Sequence, residues 1–306
     1  MLKILLSGSS GLIGTELQKF LKDKGHEITR LVRFKNVQNS NQNSNKDVIL
    51  WDPENSSYNS TDFEGFDVVI NLAGENIADG RWNEIRKQTI LDSRVKGTRL
   101  LAQIFSKLNR PPKVFVSASA VGFYGDRGDT ICSEATSQGK GFLAEVCREW
   151  EEVSKVFNSE IRTVNLRFGV ILSPKGGALS KMLTPFKFGL GGVLGSGNQY
   201  ISWIALDDVV SIINDVIENP ALFGPINCVS PNPVTNREFT QILGEVLHRP
   251  TFLPLPAFVL NLILGSEMSD ELLLNSTRVM PESLIKSGYH FILPELKPAL
   301  RELLRN

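Results

Sequence analysis

Three glycines near the N-terminus have the spacing of a phosphate-binding turn. Gly8, Gly11 and Gly14 directly follow the apolar run at 3–7 and open a stretch with helical spacing. Glycines at these places allow a tight turn and a close approach of the backbone to a pyrophosphate, and the following helix N-terminus supplies N–H donors and a positive dipole. We therefore predict that a dinucleotide contacts this turn through Gly8, Ser9, Ser10, Gly11, Leu12, Ile13 and Gly14.

The end of the second predicted strand indicates which dinucleotide binds. An acidic residue there would accept a hydrogen bond from the ribose 2′-hydroxyl, whereas an arginine accommodates a 2′-phosphate. Arg30, Val32 and Arg33 stand at this place, and no acid is among them. We therefore predict NADP (NADPH) with its 2′-phosphate near Arg33, and NAD as the less favoured cofactor. The alternative that these arginines are solvated surface charges stays open, more for Arg30 than for Arg33.

Strand and helix patterns alternate along the first half of the chain and must position these residues. Helical patterns follow the glycine turn and recur at 85–105 and 142–156. Short apolar runs with strand character lie at 3–7, 28–32, 48–51, 67–72, 114–117 and 162–167. The run at 67–72 is apolar on both faces, as a buried parallel strand requires. This alternation predicts an α/β fold with a Rossmann-type doubly wound parallel sheet.

Glycine and proline become frequent after residue 172. Glycines crowd the stretch 176–197, and prolines break the chain from residue 235 onward into short helical pieces. Frequent glycines are typical of a loop-rich cleft wall, and short helical pieces separated by prolines are typical of a small, mostly helical cap. We predict a dinucleotide-binding Rossmann domain at 1–175 and 200–230, and a substrate-binding C-terminal cap at 176–199 and 231–306.

The composition excludes several classes of site and partner. Lys plus Arg and Asp plus Glu both number 33, so the basic surplus that nucleic acid or an anionic membrane requires is missing, and we expect neither as a partner. The histidines are His26, His248 and His290, and because no two have metal-ligand spacing we expect no metal site. The three cysteines form no C-x-x-C pair and indicate reduced thiols.

No targeting or membrane segment is visible in the sequence. The N-terminal apolar run is shorter than the about 7 to 15 apolar residues of a signal peptide, and the run at 257–264 is far below the about 20 residues that cross a bilayer. We therefore expect a soluble, cytoplasmic protein. The sequence leaves open the identity of its small-molecule substrate and the formation of a homo-oligomer.

Eight short strings, spread in order along the chain, carry a family resemblance. They are GSSGLIG from Gly8, NLAGENI from Asn71, RWNE from Arg81, SRVKGT from Ser93, SASAVGFYG from Ser117, FLAEVCREWE from Phe142, LRFGVIL from Leu166 and GSGNQYISWI from Gly195. With them the sequence resembles an extended short-chain dehydrogenase/reductase, the superfamily of NAD(P)-dependent sugar-nucleotide epimerases and dehydratases. More narrowly, it resembles the atypical subgroup called epimerase family proteins, which has a C-terminal domain of unknown function.

The resemblance implies further contacts with the cofactor. In this superfamily the backbone after the fourth strand lines the adenosine ribose and the pyrophosphate, which here would involve Leu72, Ala73, Gly74 and Glu75. Arg94 lies on the helix that faces the cofactor, where a guanidinium could meet a phosphate or a ribose hydroxyl. The alternative for Arg94 is an ordinary arginine on a helix surface. Ser117 and Val146 complete the expected cofactor contacts.

The proton-transfer pair of the superfamily is missing from this chain. The resemblance implies a Ser, Tyr and Lys arrangement, in which the Tyr moves a proton, the Lys lowers the Tyr pKa and holds the nicotinamide ribose, and the Ser orients the substrate. The Tyr and Lys are spaced Tyr-x-x-x-Lys, so that both face one side of a helix. Four residues after the four tyrosines stand Asp62, Gly128, Ile204 and Leu293. The matching helix carries Phe142 and Val146 instead, and neither can transfer a proton.

Two polar residues remain as candidate catalytic groups. Ser119 matches the position of the superfamily serine, just after the fifth predicted strand, and Tyr124 lies in the turn that follows. Tyr124 would be a surrogate proton donor if it projects toward the nicotinamide, although an unassisted phenol with a pKa near 10 is a poor acid-base catalyst at neutral pH. Alternatively, Tyr124 has a structural role, in which its ring packs against other side chains and its hydroxyl is hydrogen-bonded within the protein.

Two functions follow from these observations. The first is an NADP-dependent oxidoreductase or epimerase that acts on an unidentified small hydroxylated substrate by a non-standard proton route. The second is a non-catalytic NADP(H)-binding sensor or regulatory protein. Phe142 and Val146 weaken the first hypothesis and favour the second.

Overall fold

The computed structural model describes residues 1–34, 47–155 and 161–305. Its strands, in chain order, are β1 Lys3–Ser7, β2 Glu27–Arg33, β3 Val48–Trp51, β4 Val68–Asn71, β5 Val114–Ala120, β6 Ile131–Cys132, β7 Arg162–Phe168, β8 Val170–Leu172, β9 Tyr200–Ile201, β10 Trp203–Ala205, β11 Gly224–Cys228, β12 Val234–Thr235 and β13 Arg278–Val279.

Helices connect these strands and build the C-terminal region. They are α1 Leu12–Asp23, α2 Glu84–Phe105, α3 Phe142–Ser154, α4 Gly177–Lys187, α5 Leu206–Glu218, α6 Asn236–Leu247, α7 Ala257–Leu264, α8 Ser266–Ser269, α9 Glu282–Lys286 and α10 Leu296–Leu303. Short 3₁₀ turns cover Ser60–Phe63 and Val121–Tyr124, and a single π-helical turn covers Asp270–Leu274. Among the described residues, no helix combines the length and the apolar character needed to cross a bilayer.

Seven strands form one parallel sheet in the order β11-β7-β5-β4-β1-β2-β3. The chain moves outward from β1 to β3, returns to the other side of β1 with β4, and continues outward to β11. The direction of winding therefore reverses between β1 and β4. In open α/β sheets, ligands bind in the crevice outside the carboxyl ends of the strands at such a reversal. The predicted doubly wound sheet and the mostly helical C-terminal region are confirmed, whereas the division into two domains stays a prediction.

The side chains of β1 alternate between two layers of the core. Ile4 packs in a cluster that contains Leu17 of α1 and Val209 of α5. Leu5 points to the opposite face and packs in a cluster that contains Leu101 of α2. Helices thus cover both faces of the sheet, which explains why its central strands are apolar at consecutive positions.

A chain of buried hydrogen bonds joins the carboxyl ends of β1 and β4 to α2 and α3. The Ser7 hydroxyl donates to Asn71 Oδ1 at 2.8 Å, and Asn71 Nδ2 donates to Thr98 Oγ1 at 2.9 Å. Trp150 Nε1 donates to the same Thr98 oxygen at 3.0 Å. Because each buried polar group here has a partner, the two helices are fixed in position over the edge where the sheet reverses.

The C-terminal region has a core of its own. Trp203, Phe239 and Leu300 belong to one apolar cluster, in which α6 and α10 pack together. Asp208, in the first turn of α5, fixes the segment that precedes α10. Its carboxylate accepts the N–H groups of Ile292 at 2.7 Å and Leu293 at 2.9 Å. Burial raises the pKa of Asp208, and these hydrogen bonds partly offset that effect.

Replacing Asp208 removes the shared acceptor of two main-chain N–H groups. Because hydrogen bonds to a buried charged group contribute more than neutral ones, we expect Asp208→Ala to lower the free energy of unfolding by about 2–4 kcal/mol. Asp207→Ala is the matched control, since Asp207 is exposed in the same helical turn, and we expect a loss below about 1 kcal/mol. Urea unfolding followed by circular dichroism measures both losses, and equal losses would contradict the anchoring role.

Candidate functional site

The glycine turn lies at the carboxyl end of β1, where the backbone approaches its neighbours closely. Gly8 has a φ of +73°, and a Cβ atom there would lie 2.6 Å from the carbonyl carbon of Leu72. A Cβ atom on Gly14 would lie 2.3 Å from the carbonyl oxygen of Gly8. The Gly11 N–H donates to that same oxygen at 3.1 Å and closes the turn. The turn therefore fits between α1 and the loop after β4 only because Gly8 and Gly14 carry no side chains.

The N-terminus of α1 can meet an anion. Gly11 is the residue before the helix, no side chain caps the helix, and its first turn contains no acid. Uncapped N–H groups at a helix start carry partial positive charge and bind phosphates. Gln18 Nε2 donates to the carbonyls of Ser9 at 2.7 Å and Gly14 at 3.0 Å, which holds the turn in shape. Ser10 is exposed, and Leu12 and Ile13 are half-buried.

The loop after β4 faces this turn and is tied to α2. The Glu75 N–H donates to Ser93 Oγ at 3.0 Å, and the Glu75 carbonyl accepts from Arg94 Nη2 at 3.0 Å. The Glu75 carboxylate pairs with Arg86 Nη1 at 3.0 Å. Leu72 and Ala73 are half-buried and Gly74 is exposed, and the backbone of Leu72 and Ala73 lies against Gly8 of the turn.

Arg33 lies at the same edge of the sheet as the glycine turn. Ser7, the last residue of β1, is paired with Leu31 of β2. Arg33 therefore extends past the end of β1 toward the carboxyl edge, and its side chain is half-buried. Ser117 lies deeper in the sheet, opposite Asn71 of β4, and is fully buried.

The two candidate catalytic residues, Ser119 and Tyr124, belong to a buried polar network. The Ser119 hydroxyl donates to Glu151 Oε1 at 2.7 Å. Arg167 binds both oxygens of Glu151, with Nε and Nη2 each at 2.8 Å. Arg167 Nη1 also donates to the Tyr124 hydroxyl at 2.9 Å, and that hydroxyl donates to Asn227 Oδ1 at 2.6 Å. The network connects α3 to β5, β7 and β11.

The network holds Tyr124 as a neutral phenol. The side chain is fully buried, and burial raises its pKa to about 12, although the nearby Arg167 works against this. The hydroxyl has both a donor and an acceptor partner inside the protein. The geometry therefore favours packing and hydrogen bonding as the role of Tyr124, and its assignment as a proton donor stays a prediction. Ser119 is also buried, and its hydroxyl donates a hydrogen bond to Glu151.

The helix face on which the family resemblance places a proton-transfer pair is apolar in this chain. Phe142 stacks edge-to-face on Trp82, with ring centroids 5.0 Å apart. Val146 is buried one turn later. Cys147 is buried beside it, and burial raises its thiol pKa to about 11. None of these groups exchanges a proton readily at neutral pH.

Glu271 is a site residue that the sequence did not reveal. Its carboxylate accepts the N–H groups of Phe142 and Leu143, both at 2.7 Å, and so caps α3 from the C-terminal region. Gly141 has a φ of +113°, and a Cβ atom there would lie 2.9 Å from Glu271 Oε1. Burial raises the pKa of Glu271, and the two backbone bonds partly offset this. A partner 128 residues away leaves no local signal beyond an acidic pair at 270–271.

Residues with metal-binding side chains do not gather in the described ranges. No group of three or more His, Cys, Asp or Glu with suitable geometry occurs in residues 1–34, 47–155 and 161–305.

Substituting Gly14 tests the packing of the turn. Gly14→Ala places a methyl group against the Gly8 carbonyl, and such overpacking destabilises by about 1–3 kcal/mol. Gly25→Ala is the control, because Gly25 at the other end of α1 has a φ of +82° with no atom within 4 Å of the added Cβ. Its backbone strain alone costs about 1 kcal/mol. Urea unfolding compares the variants, and a Gly14→Ala loss no larger than that of Gly25→Ala would contradict the steric argument.

Substituting Glu151 tests the buried ion pair. Glu151→Gln leaves the Arg167 charge buried without its acid, and breaking such a pair costs about 3–5 kcal/mol. Glu152→Gln is the control, because Glu152 pairs with Lys155 on the surface, and exposed pairs contribute about 0–1 kcal/mol. Thermal and urea unfolding report both effects. A Glu151→Gln protein as stable as the control would show that the pair is not structural.

Comparisons with known proteins agree with this geometry. The family model described as NAD dependent epimerase/dehydratase family matches residues 4–228, and the one described as domain of unknown function DUF1731 matches residues 255–303. The chain is 39% identical over 289 residues to epimerase family protein Mb2239 of Mycobacterium bovis, covering 94% of this chain and 93% of that protein. It is 37% identical over 305 residues to epimerase family protein YfhF of Bacillus subtilis, covering 99% and 98%.

A solved structure extends the likeness to three dimensions. The crystal structure of human epimerase family protein SDR39U1 with NADPH superimposes with a TM-score of 0.89 at 33% identity, covering 99% of both chains. The resemblance inferred from the eight sequence strings is thereby confirmed. The chain belongs to the NAD dependent epimerase/dehydratase family, and it carries the C-terminal DUF1731 domain.

Proposed function

We propose that this chain binds NADP(H) and acts as an NADP-dependent oxidoreductase or epimerase on a small hydroxylated substrate. The observation that carries the proposal is the convergence of three features at one sheet edge. They are the glycine turn with its uncapped helix, the backbone loop after β4, and Arg33 at the end of β2. The NADPH in the crystal structure of the human relative supports the choice of cofactor.

The residues at this edge fit the parts of the cofactor. The N–H groups at the start of α1 would hold the pyrophosphate, and Gly8 and Gly14 keep side chains away from it. Arg33 would pair with the 2′-phosphate, because a guanidinium forms charge-assisted hydrogen bonds with phosphate oxygens. Leu72 and Ala73 would line the adenosine ribose with backbone. When bound, the cofactor supplies the hydride chemistry, and the protein supplies position and charge.

The proton route of such a reaction cannot use the Tyr and Lys pair that the family resemblance implies. Phe142 and Val146 cannot exchange protons, and the Tyr124 hydroxyl is bonded on both sides within the buried network. A reaction at this site therefore needs a proton from the substrate itself, from water, or from a group brought by the C-terminal region. Glu271 is an ionisable side chain from that region, and its carboxylate accepts the main-chain N–H of Phe142.

The same apolar helix face favours a second candidate function, a non-catalytic NADP(H)-binding sensor or regulator. A crystal structure with NADPH soaked in separates the two functions by the groups near nicotinamide C4. An ionisable side chain within hydrogen-bond reach of a substrate position there supports the enzyme. A nicotinamide enclosed by Phe142, Val146 and Trp82 supports the sensor.

Titration with NADPH and NADH tests the cofactor choice. We expect the wild-type protein to bind NADPH at least about 10-fold more tightly than NADH, because one charge-assisted contact contributes about 1.5–3 kcal/mol. Arg33→Ala should remove most of this preference by weakening NADPH alone. Arg30→Ala is the control, since Arg30 lies three residues earlier on the same strand. Nucleotide fluorescence gives both dissociation constants, and equal affinity of the wild type for the two nucleotides would contradict the NADP assignment.

A further inference from the structure

Six large apolar side chains are more than half exposed in two segments that lie outside the nucleotide crevice. One segment is the turn after α4, and the other leads into α7 and forms it. Phe258 and Leu262 of α7 are 72% and 74% exposed. Large contiguous apolar patches on a protein surface mark sites that bind a partner or a membrane. We name these six residues the apolar surface, and they are Phe188, Leu190, Phe252, Phe258, Leu262 and Ile263.

Contacts between the two segments hold them side by side. Arg249 Nε donates to the Lys187 carbonyl at 2.8 Å, directly before the exposed residues of the turn after α4. A Cβ atom on Gly189 would lie 3.6 Å from Pro250 Cγ. The turn after α4 therefore lies next to the stretch that carries Phe252.

Helix α7 continues the apolar surface toward the carboxyl edge of the sheet. Of the eight described residues of α7, Leu260 alone is buried. Phe258 and Leu262 are four residues apart, so they share one face of the helix. Arg81 donates to the carbonyls of Leu262 and Ile263 and holds the end of α7 beside the segment that precedes α2.

The charged residues of the two segments are all cations. No Asp or Glu occurs at 161–206 or at 246–266, although the whole chain carries as many acidic as basic residues. Lys187 and Arg249 are exposed and stand directly beside residues of the apolar surface. The acids that flank the second range, Glu245 and Glu267, are paired with lysines outside it. The apolar surface is thus bordered by positive charge.

This charge pattern discriminates between possible partners. In a symmetric pair of copies the same patch meets itself, which would bring Lys187 and Arg249 close to the same cations of the other copy. A partner that binds as a helix in a groove needs a concave apolar site, whereas Phe258 and Leu262 protrude with most of their surface free. A bilayer with anionic headgroups accepts protruding apolar side chains and attracts the cations beside them.

We propose that the apolar surface docks this protein on an anionic membrane. The six apolar side chains enter the boundary between headgroups and acyl chains, and Lys187 and Arg249 contact the anionic headgroups. The neutral composition of the whole chain led to the expectation of no membrane partner, but it conceals this local separation of cations from acids. Docking does not depend on the proposed function, because it uses neither the glycine turn, nor the loop after β4, nor Arg33.

Co-sedimentation of the full chain with vesicles tests the proposal. We expect vesicles of phosphatidylcholine with about one third phosphatidylserine to bind the wild type at least about 10-fold more tightly than phosphatidylcholine alone, and added salt should reduce this difference. The double variant Phe258→Ser/Leu262→Ser should bind the anionic vesicles about 10-fold or more weakly, because it removes inserted apolar area. Phe188→Ser, on the other segment, should bind them about 5-fold more weakly.

Matched controls lie at the opposite edge of the sheet. Phe223 is 70% exposed and directly precedes β11, so Phe223→Ser should leave vesicle binding unchanged. Lys187→Gln should weaken binding to anionic vesicles about 5-fold and leave binding to phosphatidylcholine unchanged. Lys113→Gln, at an exposed position directly before β5, should change neither.

Thermal unfolding and NADPH titration without vesicles show whether the variants are intact. We expect wild-type values for every variant, because the replaced side chains are exposed. A wild type that binds neither kind of vesicle, or a loss in the Phe223→Ser control equal to that of the double variant, would overturn the proposal. Size-exclusion chromatography that shows a wild-type dimer and a monomeric double variant would also overturn it, by assigning the surface to a second copy. A wild type that binds the anionic vesicles but not NADPH would refute the proposed function alone.

Discussion

The two carboxylate oxygens of Glu151 determine where α3 lies against the sheet. Arg167 on β7 donates a hydrogen bond to each of them, and the same guanidinium donates a third to the Tyr124 hydroxyl. A buried pair of this kind contributes little net stability over an apolar replacement, but its fork geometry permits one arrangement of the helix and strands. The positions of Ser119, Phe142 and Val146 all depend on this pair, because they lie on the elements that it joins.

Local patterns predicted the parts of the site that are made of backbone. The glycine spacing after β1 and the alternation of strands and helices require no distant partner, so sequence alone indicates the turn, the parallel sheet and the crevice. The prediction ended β5 at residue 117, whereas the strand continues to Ala120. Small and polar residues interrupt the apolar run, but pairing with β7 extends to the last residue of β5. The pairing of β5 with β7 therefore continues beyond the residues that form the apolar run in the sequence.

The side-chain contacts could not be predicted, because each depends on packing between distant segments. Glu271 reaches α3 across 128 and 129 residues, and the Tyr124 hydroxyl reaches Asn227 across 103. Spacing places Tyr124 after β5 but does not show that its hydroxyl turns inward to Asn227 and Arg167. Arg94 illustrates the opposite case. Its position on α2 was evident from the family strings, but its hydrogen bond to the Glu75 carbonyl depends on the conformation of the loop after β4.

The hydrogen bonds of Asp208 also bear on the order in which the chain can fold. Its main-chain partners lie 84 and 85 residues later in the chain, so α5 is synthesised before them. Before Ile292 and Leu293 are synthesised, the Asp208 carboxylate must stay hydrated. The start of α5 therefore cannot pack fully against the sheet at that stage. The segment that precedes α10 therefore completes the packing of α5.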